Sequence, residues 1–187
     1  VVWALEPVYL NGPTHVERCA AVAACRVDAW RSIDSRAARQ TVNQAAWRLG
    51  IPWIDETMLI LNGAEVMGQQ TDFPALLTEA NVQTGLWGHA QANGDDILFA
   101  TVGGSMLSHE IEEYSPGDSN LVIWLRLPYV AQGSNTVFYM YYGNPGAADQ
   151  QEIHEVWTND FLLVHHLNEG SGTLYDSSPS ANDATAE

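Results

Sequence analysis

The sequence contains no lysine and only seven arginines, against 23 aspartates and glutamates in 187 residues. Six of the arginines lie in the first 48 positions, and Arg126 is the only one that follows. A chain so poor in positive charge repels phosphates and anionic lipid headgroups. We therefore expect no nucleic-acid partner.

Long apolar runs are also missing. No stretch approaches the roughly 18–20 consecutive apolar residues of a membrane-spanning helix, and no signal-peptide pattern opens the chain. We expect no membrane insertion by this segment. Because the chain starts at Val1 and ends at Glu187 just after a turn-rich run, we interpret it as part of a longer protein with flanking domains.

Cysteine is equally scarce, since Cys19 and Cys25 are the only two. They do not form a CxxC pair and no second ligand pair accompanies them, so they do not indicate a zinc or redox site. We interpret them as small core residues.

The first 57 residues are predicted to be a small α-helical segment. In residues 34–49, Asp34 or Ser35 can cap a helix that Gly50 ends. Its apolar residues recur at helical spacing and are Ala38, Val42, Ala45, Ala46 and Leu49.

After residue 57 the pattern is that of an all-β protein. Short β-like runs alternate with clusters of Gly, Pro, Asn and Asp, which is typical of an antiparallel β-sandwich, here jelly-roll-like. The predicted strands are 58–62, 74–78, 96–101, 106–113, 120–127, 136–142 and 162–167. The predicted fold class is mainly β.

Two of these strands carry a candidate ligand surface. In "LVIWLRL", the row of Leu121, Ile123, Leu125 and Leu127 alternates with Val122, Trp124 and Arg126; in "TVFYMYY", the row of Phe138, Met140 and Tyr142 alternates with Val137, Tyr139 and Tyr141. If the two strands pair as a hairpin, Trp124, Arg126, Tyr139 and Tyr141 share one face, where aromatic rings can stack on a sugar. The alternative is that another segment covers this face, so that the aromatics serve packing.

Carboxylates suggest a second candidate site. Asp95 and Asp96 lie one hairpin away from Glu110, and oxygen-rich clusters of this kind suit Ca²⁺. The alternative is that the Asp residues form turns and the Glu residues face water. No cofactor other than calcium is expected.

A catalytic role is not predicted. Glu110 with Asp96 or Glu112 could serve as an acid–base pair, but acidic residues are so abundant after residue 59 that such pairs arise by chance. His165 and His166 point to opposite faces of a strand, so one of them is expected to be buried with a hydrogen-bond partner. We predict that the chain is not an enzyme.

Several motifs carry a family resemblance. The pieces "TDFP", "AQANGDDILF", "HEIE", "VIWLRLP" and "YYGNP" stand in the order and spacing of the family called domain of unknown function 2341. The resemblance covers about residues 58–158. It supplies no catalytic residue.

Two further segments resemble other families. "VHHLNEGSGTLYDSSPSANDATA" is similar to the start of a concanavalin A-like, laminin-G-like jelly roll. Residues 28–56 resemble a fragment of the ubiquitin-activating-like adenylyltransferases of sulfur-carrier proteins, through Asp34, Ser35, Arg39 and Asn43. The Gly-rich nucleotide loop of such enzymes is absent, so adenylation is not expected. The predicted domains are therefore residues 1–57, 58–158 and 159–187.

The resemblances imply an extracellular, cell-surface or periplasmic location. They favour a recognition or adhesion module that binds carbohydrate or another cell-envelope component. A spacer without a ligand, and an accessory domain of an ExbB/TolQ-type transport protein, are the alternatives, and a hydrolase or adenylyltransferase fragment is a further one.

Overall fold

The computed structural model of the chain describes residues 55–185 and the backbone of residues 3–5. Cys19, Cys25, the predicted helix 34–49 and nearly all of the adenylyltransferase-like segment lie outside these residues. In the described part of the chain, neither helix is long and apolar enough to span a membrane.

The described elements are short strands with two brief helices. The strands are β1 (Trp3–Leu5), β2 (Asp55–Leu61), β3 (Gln70–Thr78), β4 (Leu98–Thr101), β5 (Met106–Leu107), β6 (His109–Ser115), β7 (Asn120–Val130), β8 (Thr136–Tyr142), β9 (Leu163–His165), β10 (Thr173–Leu174) and β11 (Ala184–Thr185). The helices are α1 (Leu86–His89) and α2 (Ile153–Val156), with 3-10 turns at Gly63–Glu65 and Glu79–Asn81. Every strand predicted from the sequence overlaps an observed one.

Two antiparallel sheets form the sandwich. One has four strands in the order β2-β8-β4-β5, and the other has three in the order β3-β7-β6. Two smaller pairs, β1 with β9 and β10 with β11, are also antiparallel. The mainly β, antiparallel sandwich is therefore confirmed.

The core lies between the two sheets and follows the predicted alternation. Leu121, Ile123 and Leu125 of β7 are completely buried, and Leu127 is 1% exposed. From β8, the row of Phe138, Met140 and Tyr142 enters the same cluster. Burying a side chain of this size contributes about 1.5–3 kcal/mol, so these two rows supply much of the driving force for folding.

The predicted hairpin between β7 and β8 is wrong. β7 pairs with β3 and β6, whereas β8 pairs with β2 and β4, so the chain passes from one sheet to the other between Val130 and Thr136. Both strands have one apolar row, and these rows are buried equally well when the strands face each other across a sandwich. Alternation alone cannot distinguish the two arrangements.

The outer face of the three-stranded sheet is covered by the segment that contains α2 and β9. Its side chains Val156, Trp157, Phe161 and Val164 pack with Trp124 in a second apolar cluster. The segment is anchored on β6, because the Glu152 amide donates to the His109 carbonyl over 3.1 Å. This cover creates the buried site described next.

Candidate functional site

Strand β6 places two glutamates on the covered face of its sheet. Glu110 lies opposite Trp124 in the register with β7. The register then shifts between Ile111 and Glu113, so Glu112 is the extra residue of a β-bulge. Bulges re-aim side chains, and here Glu110 and Glu112 both reach the same histidine.

That histidine is His166, whose side chain is only 7% exposed. Its Nε2 lies 3.1 Å from Glu110 Oε1, and its Nδ1 lies 3.1 Å from Glu112 Oε2. Neither ring nitrogen makes a well-aligned hydrogen bond, so charge attraction holds the imidazole between the carboxylates. We call Glu110, Glu112 and His166 the Glu–His cluster.

The cluster favours a protonated histidine. Burial by itself lowers the pKa of His166, but Glu110 and Glu112 outweigh burial and raise this pKa to about 9. Burial likewise acts to raise the pKa of Glu112. His166 and Trp124 lower this pKa by more than burial raises it, so the net shift is downward. At neutral pH His166 is therefore an imidazolium, and its neighbour Glu112 is a carboxylate.

Two tryptophans and a serine complete the hydrogen bonding of the carboxylates. The Trp157 indole N–H donates to Glu110 Oε2 and the Trp124 indole N–H donates to Glu112 Oε2, each over 2.7 Å. The Ser177 hydroxyl donates to Glu110 Oε1. Buried carboxylates need such donors, because an unpaired buried charge is strongly destabilising.

Asp176 organises the loop that brings Ser177 to the cluster. Its buried carboxylate accepts hydrogen bonds from the backbone amides of Val164, Ser178 and Asn182, at 2.8, 2.9 and 2.8 Å. Burial acts to raise the pKa of Asp176, but these donors lower it. The loop is therefore folded around a charged carboxylate next to the cluster.

A pocket of about 320 Å³ opens beside the cluster. Half of its polar lining residues are acidic, and these are Glu110, Glu112, Glu169, Asp176 and Asp183. Tyr175, which is 63% exposed, lies at the pocket with a large free aromatic surface. The pocket offers many hydrogen-bond acceptors and an accessible tyrosine ring.

Glu169 holds Tyr175 at the pocket. Its Oε1 accepts from the Tyr175 amide over 2.9 Å, whereas its Oε2 is shielded from water and has no hydrogen-bond partner among the described residues. Because Glu169 Oε2 is enclosed, the part of this residue that acts at the pocket is the hydrogen bond from Oε1 to the Tyr175 backbone.

The structure does not assemble the predicted aromatic surface. Trp124 is 8% exposed and lies 5.0 Å from Trp157, measured between ring centroids. Tyr139 and Tyr141 belong to the other sheet, where they pack with Leu98 in a separate cluster. The grouping fails because β7 and β8 are not neighbours. Among the described residues, the packing alternative describes these aromatics better.

Arg126 stands apart from the two tyrosines. Its guanidinium lies 3.6 Å from Asp72 Oδ1 and 4.0 Å from Glu155 Oε2, and it donates to the Thr158 hydroxyl over 3.1 Å. It therefore fastens the covering segment onto β7 and β3.

The carboxylates of the predicted calcium site have different partners. Asp96 is completely buried and accepts from the backbone amides of Gly143 and Asn144, each over 2.8 Å, and of Gln91. Asp95 interacts with Asn93 in the exposed turn, and Glu110 belongs to the Glu–His cluster. Within the described residues, no three His, Cys, Asp or Glu side chains are grouped as metal ligands. The calcium site stays a prediction.

Sequence reasoning identified part of the cluster. His166 is the buried histidine of the pair 165–166, but its partners are the charged Glu110 and Glu112 at 3.1 Å, and the predicted hydrogen bond stays a prediction. The roles of Trp157, Ser177 and Tyr175 were missed, because they lie 47 to 67 residues from Glu110 or across a loop that no local pattern describes. The predicted boundary at residue 158 falls inside this packed cluster.

Comparison with known proteins tests the resemblances drawn from the sequence. No curated protein and no solved structure matches the chain. The concanavalin A-like and adenylyltransferase-like resemblances stay predictions. Residues 93–181, which contain Glu110, His166 and Ser177, match the model of a family described as Domain of unknown function (DUF2341).

Proposed function

We propose that the described domain is a non-catalytic recognition module that binds carbohydrate in the pocket beside the Glu–His cluster. The observation that carries this proposal is a pocket of about 320 Å³ that combines five acidic side chains with an exposed tyrosine. Its volume falls in the range of about 300–1,000 Å³ that is usual for small-molecule sites.

The chemistry of the pocket suits a hydroxyl-rich ligand. Carboxylate oxygens accept hydrogen bonds from sugar hydroxyls, and these charge-assisted bonds are stronger than neutral ones. The Tyr175 ring can stack on the apolar face of a sugar ring. Glu169 Oε1 accepts from the Tyr175 amide and so positions this residue at the pocket.

The state of the glutamates argues against catalysis. A general acid needs a raised pKa near the working pH, whereas the pKa of Glu112 is lowered by His166 and Trp124 despite burial. Glu110 Oε1 and Oε2 already accept from Ser177 and Trp157. Both carboxylates are engaged in holding the cluster together, so the pocket serves binding.

The experiment is a glycan array probed with the full chain. Tyr175→Ala and Glu169→Gln are each expected to weaken binding by about tenfold, which corresponds to 1.4 kcal/mol. Tyr129→Ala is the matched control, because Tyr129 is also exposed, at 50%, but does not line the pocket. Absence of glycan binding, or equal losses from Tyr129→Ala and Tyr175→Ala, would refute the proposal.

A spacer without a ligand is the second candidate. It is favoured by the burial of Trp124, Tyr139 and Tyr141, which are 8%, 5% and 3% exposed. On this alternative the array shows no binding, and Tyr175→Ala changes neither stability nor any interaction. The resemblance to secreted and envelope proteins supports an extracytoplasmic location for either candidate. We also propose that the partners of this domain include flanking domains of the same longer chain.

A further inference from the structure

The pocket beside the Glu–His cluster has more acidic than basic groups in its lining. The five acidic ones are Glu110, Glu112, Glu169, Asp176 and Asp183. Among the described residues that line the pocket there are two histidines, His154 and His166, and neither a lysine nor an arginine. The charge of the lining can therefore decide which class of sugar the pocket accepts.

Three of the acidic side chains are carboxylates at neutral pH. The hydrogen bond from the Tyr175 amide lowers the pKa of Glu169 below its ordinary value of 4.5. The net shifts of the pKa values of Glu112 and Asp176 are also downward, from 4.5 and 3.8. Hydrogen bonds and opposite charges that favour the ionised form have this effect. The pocket is therefore negatively charged at neutral pH.

The two histidines do not neutralise this charge. The ring nitrogens of His166 are shielded from water and lie 3.1 Å from Glu110 and Glu112, so the imidazolium is balanced within the Glu–His cluster. His154 Nδ1 lies 2.9 Å from the Ser178 carbonyl oxygen. Even a protonated His154 would balance only one of the three remaining acidic groups, Glu169, Asp176 and Asp183.

Within residues 55–185, no permanently charged cation lines the pocket. Arg126 is the only arginine in this range, which contains no lysine. Its guanidinium lies 3.6 Å from Asp72 Oδ1 and donates to the Thr158 hydroxyl, and it is not part of the pocket lining. A ligand that carries its own positive charge is therefore favoured over a neutral or an anionic one.

Tyr175 suits a ligand that combines a positive charge with a sugar ring. Its side chain is 63% exposed at the pocket, and its backbone amide is bound by Glu169 over 2.9 Å. A tyrosine face attracts a cation within about 6 Å of the ring centroid, and the same face stacks on the apolar side of a sugar. An amino sugar offers an ammonium group for the carboxylates and a ring face for Tyr175.

We propose that the ligand of this pocket is an amino sugar with a free, protonated amine, which the acidic lining binds while the sugar ring stacks on Tyr175. This inference rests on the proposed carbohydrate-binding function and narrows the class of its ligand. N-acetylation of the amine removes the positive charge and should weaken binding. A sugar that carries a carboxylate is repelled by the lining.

A glycan array probed with the full chain at about pH 6, where amines are protonated, tests the ligand class. The array displays oligomers of glucosamine and galactosamine with free amines, the same oligomers after N-acetylation, and the parent glucose and galactose oligomers. We expect the free amines to bind at least about fivefold more tightly, because one pair of opposite charges about 4 Å apart contributes this factor even at the dielectric constant of water. Oligomers of uronic acids should bind least.

Glu169→Gln with Asp183→Asn removes two negative charges from the pocket. Each new amide keeps an oxygen that can accept from the backbone amide of Tyr175 or Asp176, so the local hydrogen bonds can persist. The preference for free amines should fall at least about fivefold. Glu65→Gln with Glu79→Gln is the matched control, because these exposed glutamates do not line the pocket. It should keep the preference. If the double variant melts at a lower temperature, Asp183→Asn alone is compared with Glu65→Gln.

Each outcome decides the inference. Equal binding of free-amine and N-acetylated oligomers, or tighter binding of neutral ones, overturns it and leaves the proposed carbohydrate function standing. Absence of binding to every glycan overturns both. Lysine displayed on the same linker carries an amine without a sugar, and binding to it as tight as to the amino sugars overturns the inference. An equal loss of preference in the control variant would assign the preference to the overall charge and also overturn it.

Discussion

Raising the pH should destabilise this protein through a single buried side chain, His166. Its pKa is about 9 in the folded chain and 6.5 in the reference state. Because the folded pKa is the higher one, the stabilisation is fully present below pH 6.5 and is lost as the pH rises towards 9. A difference of one pKa unit corresponds to 1.36 kcal/mol, so the free energy of unfolding should fall by about 3 kcal/mol across this window.

Urea denaturation between pH 6.5 and 9, followed by tryptophan fluorescence, measures this loss. In His166→Gln the group that releases the proton is gone, so the alkaline decline should be largely absent. His89→Gln is the control, because the His89 side chain is 58% exposed and lies beside Asp55, away from the cluster. This variant should keep the decline of the unaltered chain.

The reasoning is refuted by either of two results. One is an unfolding free energy that stays constant from pH 6.5 to 9 in the unaltered chain. The other is a decline of the same size in His166→Gln, which would assign it to another group. A direct titration of the His166 ring by NMR should give a pKa well above 6.5.

Three further perturbations test other parts of the structure. Burial lowers the pKa of His109 from 6.5 to about 4, so the free energy of unfolding should fall as the pH drops from 6.5 to 5. In His109→Leu this fall should be smaller, as measured by urea denaturation at the two pH values. Trp157→Phe removes the indole donor to buried Glu110 and should lower the unfolding free energy by about 1–3 kcal/mol in urea; no change would contradict the hydrogen bond. A Cβ at Gly63 would lie 2.0 Å from a backbone oxygen, whereas one at Gly117 meets nothing within 4 Å; Gly63→Ala should therefore lower the melting temperature and Gly117→Ala should not.

The sandwich could be predicted from local pattern, because alternation of apolar residues determines which side of each strand is buried. The Leu121–Leu127 row and the row of Phe138, Met140 and Tyr142 are both in the core, as expected. The pairing of strands could not be predicted in the same way. Pairing depends on which sheet each strand joins, and the apolar rows of β7 and β8 would be buried in either arrangement.

The candidate site was predictable only in fragments. Glu110 and Glu112 were noted as a pair of carboxylates, and one of His165 and His166 was expected to be buried. The contact of Glu110 and Glu112 with His166 depends on a bulge in β6 and on the covering segment. Neither feature has a periodic signal in the sequence. Trp124 was assigned to a ligand surface because its strand alternates, but Trp157 covers it instead.

The Glu–His cluster can form only late in the synthesis of the domain. Glu110 leaves the ribosome before Trp157, His166 and Ser177, which follow it by 47, 56 and 67 residues. Until the last of them emerges, the carboxylate lacks part of the hydrogen bonding that its burial requires, so β6 is expected to stay hydrated and loosely packed. The turn folded around Asp176 is then the last of these parts to emerge, and a ribosome paused before residue 177 holds a domain in which Glu110 lacks the Ser177 donor.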